Sequence, residues 1–280
     1  MDRTYENLLL ADYHGEKDNY VVKYRLDAVN RGMSVARLVG TYTTLKGKRV
    51  LEIGCGDGGI SIAFAKHGCE VYGLDYEPHA ISLARVRARD VPQAPKFYVG
   101  DAHDLGVRDN IFDIVICNDL LEHVRSVKRI AKQVFRVLKS EGLVFLSFSN
   151  ICSFLNFISD PHHHLFGISI LPRSLAEFYV TKIRCKTMHY GVEKLLSYWR
   201  VQRIFNDLSI DLELIPDVRW KEKLENPELV VNTIARRAFR LLKKIVRLET
   251  IKLLIMSKTY LCFVHPTIYM IGKNKSVRQA

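Results

Sequence analysis

Along the first 150 residues, short unbroken apolar runs alternate with stretches whose apolar residues return every three or four positions. The first stretch, Arg25 to Leu45, carries Leu26, Val29, Met33, Ala36, Leu38, Val39 and Tyr42 at helical spacing and predicts a capping helix ended by Lys46-Gly47-Lys48. The pattern then predicts strands over Arg49 to Gly54, Glu70 to Asp75, Lys96 to Val99, Asp113 to Cys117 and Leu143 to Phe148. Helices are expected between them, at Ile60 to His67, Pro78 to Arg89 and Val124 to Leu138. Strands alternating with helices of this length mean parallel strands joined by crossover helices.

The rhythm stops after Asn150. Ile151 to Pro172 reads as a lid, because loops of more than about 20 residues inside a compact domain usually cover or bind something. Helical patterns return at Arg173 to Thr181 and Val192 to Asn206, followed by a strand at Ile210 to Ile215. The final strand is placed at Ile268 to Gly272, with His265-Pro266 interrupting a start as early as Leu261. Between these two strands the segment 227–257 reads as a helical insertion. The whole chain, 1–280, is read as one α/β domain: an N-terminal cap over 1–47, a cofactor-binding core over 48–150, a lid and substrate region over 151–207, and C-terminal strands with the insertion over 208–272.

With 48% hydrophobic and 26% charged residues and 8 prolines, the composition is that of a packed protein and excludes a disordered chain. The six cysteines are scattered, with no C-x-x-C pair, which reads as reduced thiols. Leu8 to Ala11 is too short an apolar run for a signal peptide, so a cytoplasmic location is expected. The formal net charge is +12, and between Thr233 and Lys258 eight basic residues face Glu249 alone. There Ile234, Ala238, Leu241, Leu242, Ile245, Leu248 and Ile251 take one helical face and Arg236, Arg240, Lys243 and Arg247 another. A basic amphipathic helix over 234–257 reads either as peripheral contact with an anionic inner membrane face or as a helix packed on its own domain with a solvated charged face.

The candidate chemistry begins in Val50-Leu-Glu-Ile-Gly-Cys-Gly-Asp-Gly-Gly59. Gly54, Gly56 and Gly59 fit a glycine-rich strand-to-helix turn that lets backbone approach a nucleotide at a helix N-terminus. Glu52 argues against a diphosphate there and for a ligand carrying positive charge, such as S-adenosylmethionine. Asp75, at the end of the second strand, is placed to accept from ribose hydroxyls, and Asp101 to accept from an adenine amino group. Asp57 and Tyr76 are expected to border the same site.

Glu52-x-Gly54-x-Gly56-x-Gly58, Asp75, Gly100-Asp101-Ala102 and Asn118 to His123 resemble the class I S-adenosylmethionine-dependent methyltransferases, over roughly residues 48 to 150. Leu121-Glu122-His123-Val124 is similar to the small-molecule group that includes the quinone-biosynthesis O-methyltransferases. The resemblance implies a Rossmann-like, doubly wound, seven-stranded, mostly parallel sheet whose last strand is antiparallel. It also implies that Glu52, Gly54, Gly56, Asp75, Asp101, Ala102 and Asn118 line the cofactor site.

Methyl transfer from a sulfonium needs alignment and a water-poor site more than many catalytic groups. His123 is the candidate base for an acceptor hydroxyl, set against a purely local hydrogen-bonding role near the next helix. His162, His163 and His164 are candidate substrate contacts in the lid, and no metal is expected, because three successive residues rarely face one ion. The expected function is O-methylation of a small or lipid-linked acceptor at or near the membrane. An RNA methyltransferase, a non-catalytic cofactor-binding membrane scaffold and a nicotinamide oxidoreductase are the rivals.

Overall fold

The computed structural model describes residues 3–17, 19–158, 160, 165–183, 195–219, 222–223, 236–237 and 256–275. Seven strands form one sheet: β1 (Arg49–Ile53), β2 (Glu70–Asp75), β3 (Lys96–Val99), β4 (Phe112–Asn118), β5 (Leu138–Ser149), β6 (Ile210–Ile215) and β7 (Thr267–Asn274), in the order β3-β2-β1-β4-β5-β7-β6. β3, β2, β1, β4 and β5 pair in parallel, and β7 runs antiparallel between β5 and β6. This is the doubly wound sheet with an antiparallel last strand that the resemblance implies. Strand order reverses between β1 and β4, which opens a crevice at their carboxyl ends.

Side-chain alternation decides what covers each face. Val50, Ile114, Ile116, Phe145 and Ile271 point to one side, where α3 (Ala28–Val39) and α4 (Gly59–Lys66) bring Val35, Val39, Ile60 and Phe64. Leu51, Ile53, Val115, Cys117, Val144 and Leu146 point to the other. There α6 (Val127–Val137) buries Val127, Ile130, Ala131, Val134 and Val137, one stripe at helical spacing, and α9 (Tyr198–Asn206) adds Val201 and Phe205. At the edge, α1 (Arg3–Asp12) packs Tyr5 and Leu9 against Leu83 of α5 (Pro78–Arg87) and Val22 of α2 (Tyr20–Leu26).

Where the structure departs from the sequence pattern, named contacts account for it. The cap is broken into α2 and α3 at Asp27, because the Arg87 guanidinium takes the carbonyl oxygens of Arg25 (2.8 Å) and Leu26 (3.3 Å), which a continuous helix would need. Leu261 belongs to a helix, Lys258–Phe263, capped by the Ser257 hydroxyl, which accepts from Tyr260 N–H at 3.1 Å. The turn before β7 is then fixed by Asn150, whose amide donates to the carbonyls of Cys262 (2.9 Å) and His265 (3.0 Å). The expected lid contains α7 (Phe154–Ile158) and a 3-10 turn, Ile168–Ile170. After it, α8 (Arg173–Phe178) continues into a π-helical turn, Tyr179–Ile183. His162, His163 and His164 lie outside the described residues, as does nearly all of the expected insertion 227–257. Among the described residues, no helix is long and apolar enough to cross a membrane.

Candidate functional site

Gly54, Gly56, Asp75, Tyr76, Asp101, Ala102 and Asn118 lie at or just beyond the carboxyl ends of β1, β2, β3 and β4. After β1 the chain turns at Gly54, whose N–H donates to Leu74 O (2.7 Å) and where a Cβ would lie 2.8 Å from Leu120 Cδ1. Gly56 has φ +50°, which disfavours a side chain, and a Cβ built there meets nothing within 4 Å. Backbone at Gly56 is therefore open to a ligand. Asp75 braces this loop: its Oδ2 accepts from Gly56 N–H at 2.8 Å and its Oδ1 from Glu77 N–H at 3.0 Å. A carboxylate has about four lone-pair positions, so capacity remains for hydroxyl donors.

Tyr76 is 76% exposed beside it. Asp101 stands exposed after β3, and its Oδ1 accepts from the backbone N–H and Nδ1 of His103, both at 2.8 Å. Those bonds hold the Asp101 carboxyl below its ordinary range. The other ring nitrogen, His103 Nε2, is buried with no partner among the described residues. Ala102 is half-buried and packs on the core.

Two of the acids are held inside the fold. Glu52 is buried, and its Oε2 accepts from both the N–H (2.8 Å) and the hydroxyl (2.5 Å) of Ser61 at the start of α4. Burial pushes its carboxyl up to about 8, so near pH 7 it is mostly protonated. Asp57 is also buried; it accepts from Arg87 Nη1 at 2.8 Å and from the Tyr5 hydroxyl, while the guanidinium lies 4.3 Å from the centre of the Tyr5 ring. Asp57 thereby pins α1 and α5 to the glycine loop. Arg87 and Tyr5, which do this work, were not legible in the sequence, because nothing in their local spacing distinguishes them from helix-surface residues.

At the end of β4, Asn118 Nδ2 donates to Asp119 Oδ2 (3.0 Å) and the Ser147 hydroxyl lies within reach of both side chains (2.9 and 2.8 Å). Asp119 has φ +51°, accepts from the Tyr24 hydroxyl, and lies 3.9 Å from Arg31 Nη1; Arg31 stacks 3.4 Å from the Tyr24 ring centre. Tyr24, Arg31 and Asp119 form a polar group beside the crevice that sequence reasoning missed. No local spacing signalled it, because Tyr24 and Arg31 sit on α2 and α3, on either side of the break at Asp27. Glu122 is buried: Oε1 accepts from the N–H (2.9 Å) and hydroxyl (2.8 Å) of Ser149, and Oε2 has no partner among the described residues. Burial, and next the charge of Asp119, raise its carboxyl above the ordinary value. His123 stands exposed at the mouth, its backbone N–H bonded to Leu120 O at 2.9 Å.

Among the described residues no Lys or Arg forms an ion pair with Asp75 or Asp101. An open glycine backbone flanked by acids that no Lys or Arg pairs suits a nucleoside bearing positive charge and opposes a diphosphate. S-adenosylmethionine has that chemistry, with Gly54, Gly56, Asp75, Tyr76, Asp101, Ala102 and Asn118 as the residues that would hold it.

Comparison with known proteins gives the same domain. The family profile described as a methyltransferase domain matches residues 51–146. Ubiquinone biosynthesis O-methyltransferase of Coxiella burnetii is 38% identical over 107 residues, covering 38% of this chain and 46% of the relative. The protein of the same name from Xanthomonas campestris pv. campestris is 34% identical over 113 residues, 40% of this chain and 47% of the relative. The chain thus matches about half the length of these curated relatives. In fold, it resembles magnesium protoporphyrin IX methyltransferase from Synechocystis PCC 6803 with bound S-adenosylhomocysteine, at TM-score 0.56 and 17% identity, covering 91% of this chain and 88% of the other. It also resembles Haemonchus contortus phosphoethanolamine N-methyltransferase 2 in complex with S-adenosylmethionine, at TM-score 0.55 and 19% identity, covering 87% and 52%. The chain carries a methyltransferase domain matched over residues 51–146, in a fold it shares with methyltransferases solved with S-adenosylmethionine or S-adenosylhomocysteine bound.

Proposed function

We propose that the protein methylates oxygen on a small or lipid-linked acceptor. The observation that carries this reading is the open, acid-flanked loop at Gly56, with His123 exposed in the turn after β4, the neighbouring strand across the crevice. When bound, S-adenosylmethionine supplies an electrophilic methyl group on a positively charged sulfur. The chain's own residues then have three tasks. Asp75 accepts from the ribose hydroxyls while bracing Gly56, and Asp101 and Asn118 border the base. Leu120, which packs over Gly54, keeps the crevice floor apolar, which excludes water. A ring nitrogen of His123 takes the proton released by an acceptor hydroxyl.

The membrane part of the reading draws on two features. The expected basic amphipathic helix over 234–257 is one. The other is the region beyond β5, where Phe154, Phe166, Ile170, Leu175, Phe178 and Ile183 are large apolar side chains left exposed. His162, His163 and His164 fall in the same region and are proposed as acceptor contacts. Cosedimentation with anionic vesicles, abolished by charge reversal at Arg236, Arg240, Lys243 and Arg247, checks the contact; no sedimentation of the unaltered protein would dispose of it.

Incubation with methyl-labelled cofactor and fractionated extract tests the activity. Label should enter a lipid or small-metabolite fraction, and His123→Ala should lower its rate roughly 100-fold or more while S-adenosylhomocysteine affinity stays the same. Label entering RNA, or an unchanged rate in the variant, would contradict the acceptor class or the base.

A further inference from the structure

Between the β4 exit and α9 lies a cavity of about 370 Å³ that no part of the methyl-transfer account uses. Its floor is apolar: Leu121 and Leu196 are fully buried, and Val124 and Ile204 pack beside them on the core. Its mouth carries Arg125, Lys128 and Arg200. Among the described residues no acidic side chain lines it. None of the three cations has a hydrogen-bond or ion-pair partner among the described residues, whereas Arg31, Arg87, Arg136 and Arg219 each engage a carboxylate.

The backbone adds donors at the same place. α6 begins at Val127 and α9 at Tyr198, both capped by serines, so two helices of 11 and 9 residues start at the cavity's edge. Ser126 Oγ caps Arg129 N–H at 3.3 Å, which leaves the amides of Val127 and Lys128, both in the cavity wall, without an acceptor among the described residues. Three like charges, two free amides and two helix dipoles thus converge on one hollow. In the absence of an anion these groups repel one another, and hydration alone must satisfy them.

We infer that this cavity binds a phosphate group carried on an apolar body, with the oxygens held by Arg125, Lys128, Arg200 and the first amides of α6, and the apolar part resting on Leu121, Leu196 and Ile204. A guanidinium and helix-start amides match phosphate oxygens in geometry as well as charge. The apolar floor distinguishes the site from a bare anion patch and favours an organic phosphate over inorganic phosphate. The same chemistry is offered by a soluble phosphorylated metabolite and by an anionic lipid headgroup. The inference does not rest on the proposed acceptor or on methyl transfer, since binding alone defines it.

Calorimetry on the full chain with phenyl phosphate, inorganic phosphate and benzyl alcohol provides the test. Phenyl phosphate should bind most tightly, and Lys128→Gln combined with Arg200→Gln should weaken it about tenfold or more, with unchanged thermal unfolding because both side chains are exposed. A second arm uses vesicles of phosphatidylcholine and phosphatidylglycerol. Sedimentation with those vesicles that phenyl phosphate competes away and the double variant lacks identifies a lipid headgroup; tight phenyl phosphate binding without such sedimentation identifies a soluble ligand. Phenyl phosphate binding no tighter than benzyl alcohol, or binding equally well to the double variant, overturns the inference.

Discussion

Glu52 illustrates how burial reverses a charge argument made from sequence. Its place two residues before the glycine turn marks it as a negative charge beside the ligand, yet the alternation of β1 sends its side chain under α4, where Ser61 supplies both hydrogen bonds. Burial raises its carboxyl from the ordinary 4.5 to about 8. The folded state therefore holds a proton that the unfolded chain gives up, and the stability this contributes is complete below about pH 4.5 and is lost as pH rises towards 8. Glu52→Gln, which cannot ionise, should flatten that slope: its melting temperature should gain on the unaltered protein between pH 5 and pH 9, measured by calorimetry at matched ionic strength. A constant difference across that range would show that Glu52 is already ionised in the fold. Asp75 and Asp101, by contrast, sit at strand ends, where position in the sequence was enough to place them on the rim.

The elements nearest the site were legible because each strand is a short apolar run closed by a glycine or an acid. β1 to β4 fall within a residue or so of their expected ends, and the last strand, β7, is antiparallel as expected. What stayed hidden was how the N-terminal cap is attached, since that depends on residues far apart in the chain. Asp57, Arg87 and Tyr5 meet across intervals of 30 and 52 residues, and the same guanidinium breaks the cap helix at Asp27. Removing one partner of a buried ion pair leaves the other charge unpaired, so Arg87→Ala should cost about 3–5 kcal/mol of stability. Chemical denaturation measures this directly, and a loss below about 1 kcal/mol would mean that water or a neighbouring cation replaces the guanidinium.

For the molecule as a whole, opposite charges are divided between places with different work. The net charge is +12, yet the rim that would face the cofactor presents Asp75 and Asp101, and cations collect instead around the cavity between α6 and α9 and in the stretch from Thr233 to Lys258. This division is what a positively charged nucleoside donor on one side and anionic partners on the other would require. The total charge was readable from composition, but its separation into an acidic crevice and a basic cavity depends on the sheet order that sets β2 and β3 beside β1, on the side of the crevice opposite β4, and on the packing of α6 against α9.

Titration calorimetry of S-adenosylhomocysteine and NAD against the unaltered protein and Asp75→Ala tests the central claim most directly. The unaltered protein should bind S-adenosylhomocysteine and not NAD, and the substitution should weaken binding about 10- to 100-fold, because it removes both a ribose acceptor and the brace on Gly56. Binding of NAD in place of S-adenosylhomocysteine, or equal S-adenosylhomocysteine affinity in the two proteins, would contradict it.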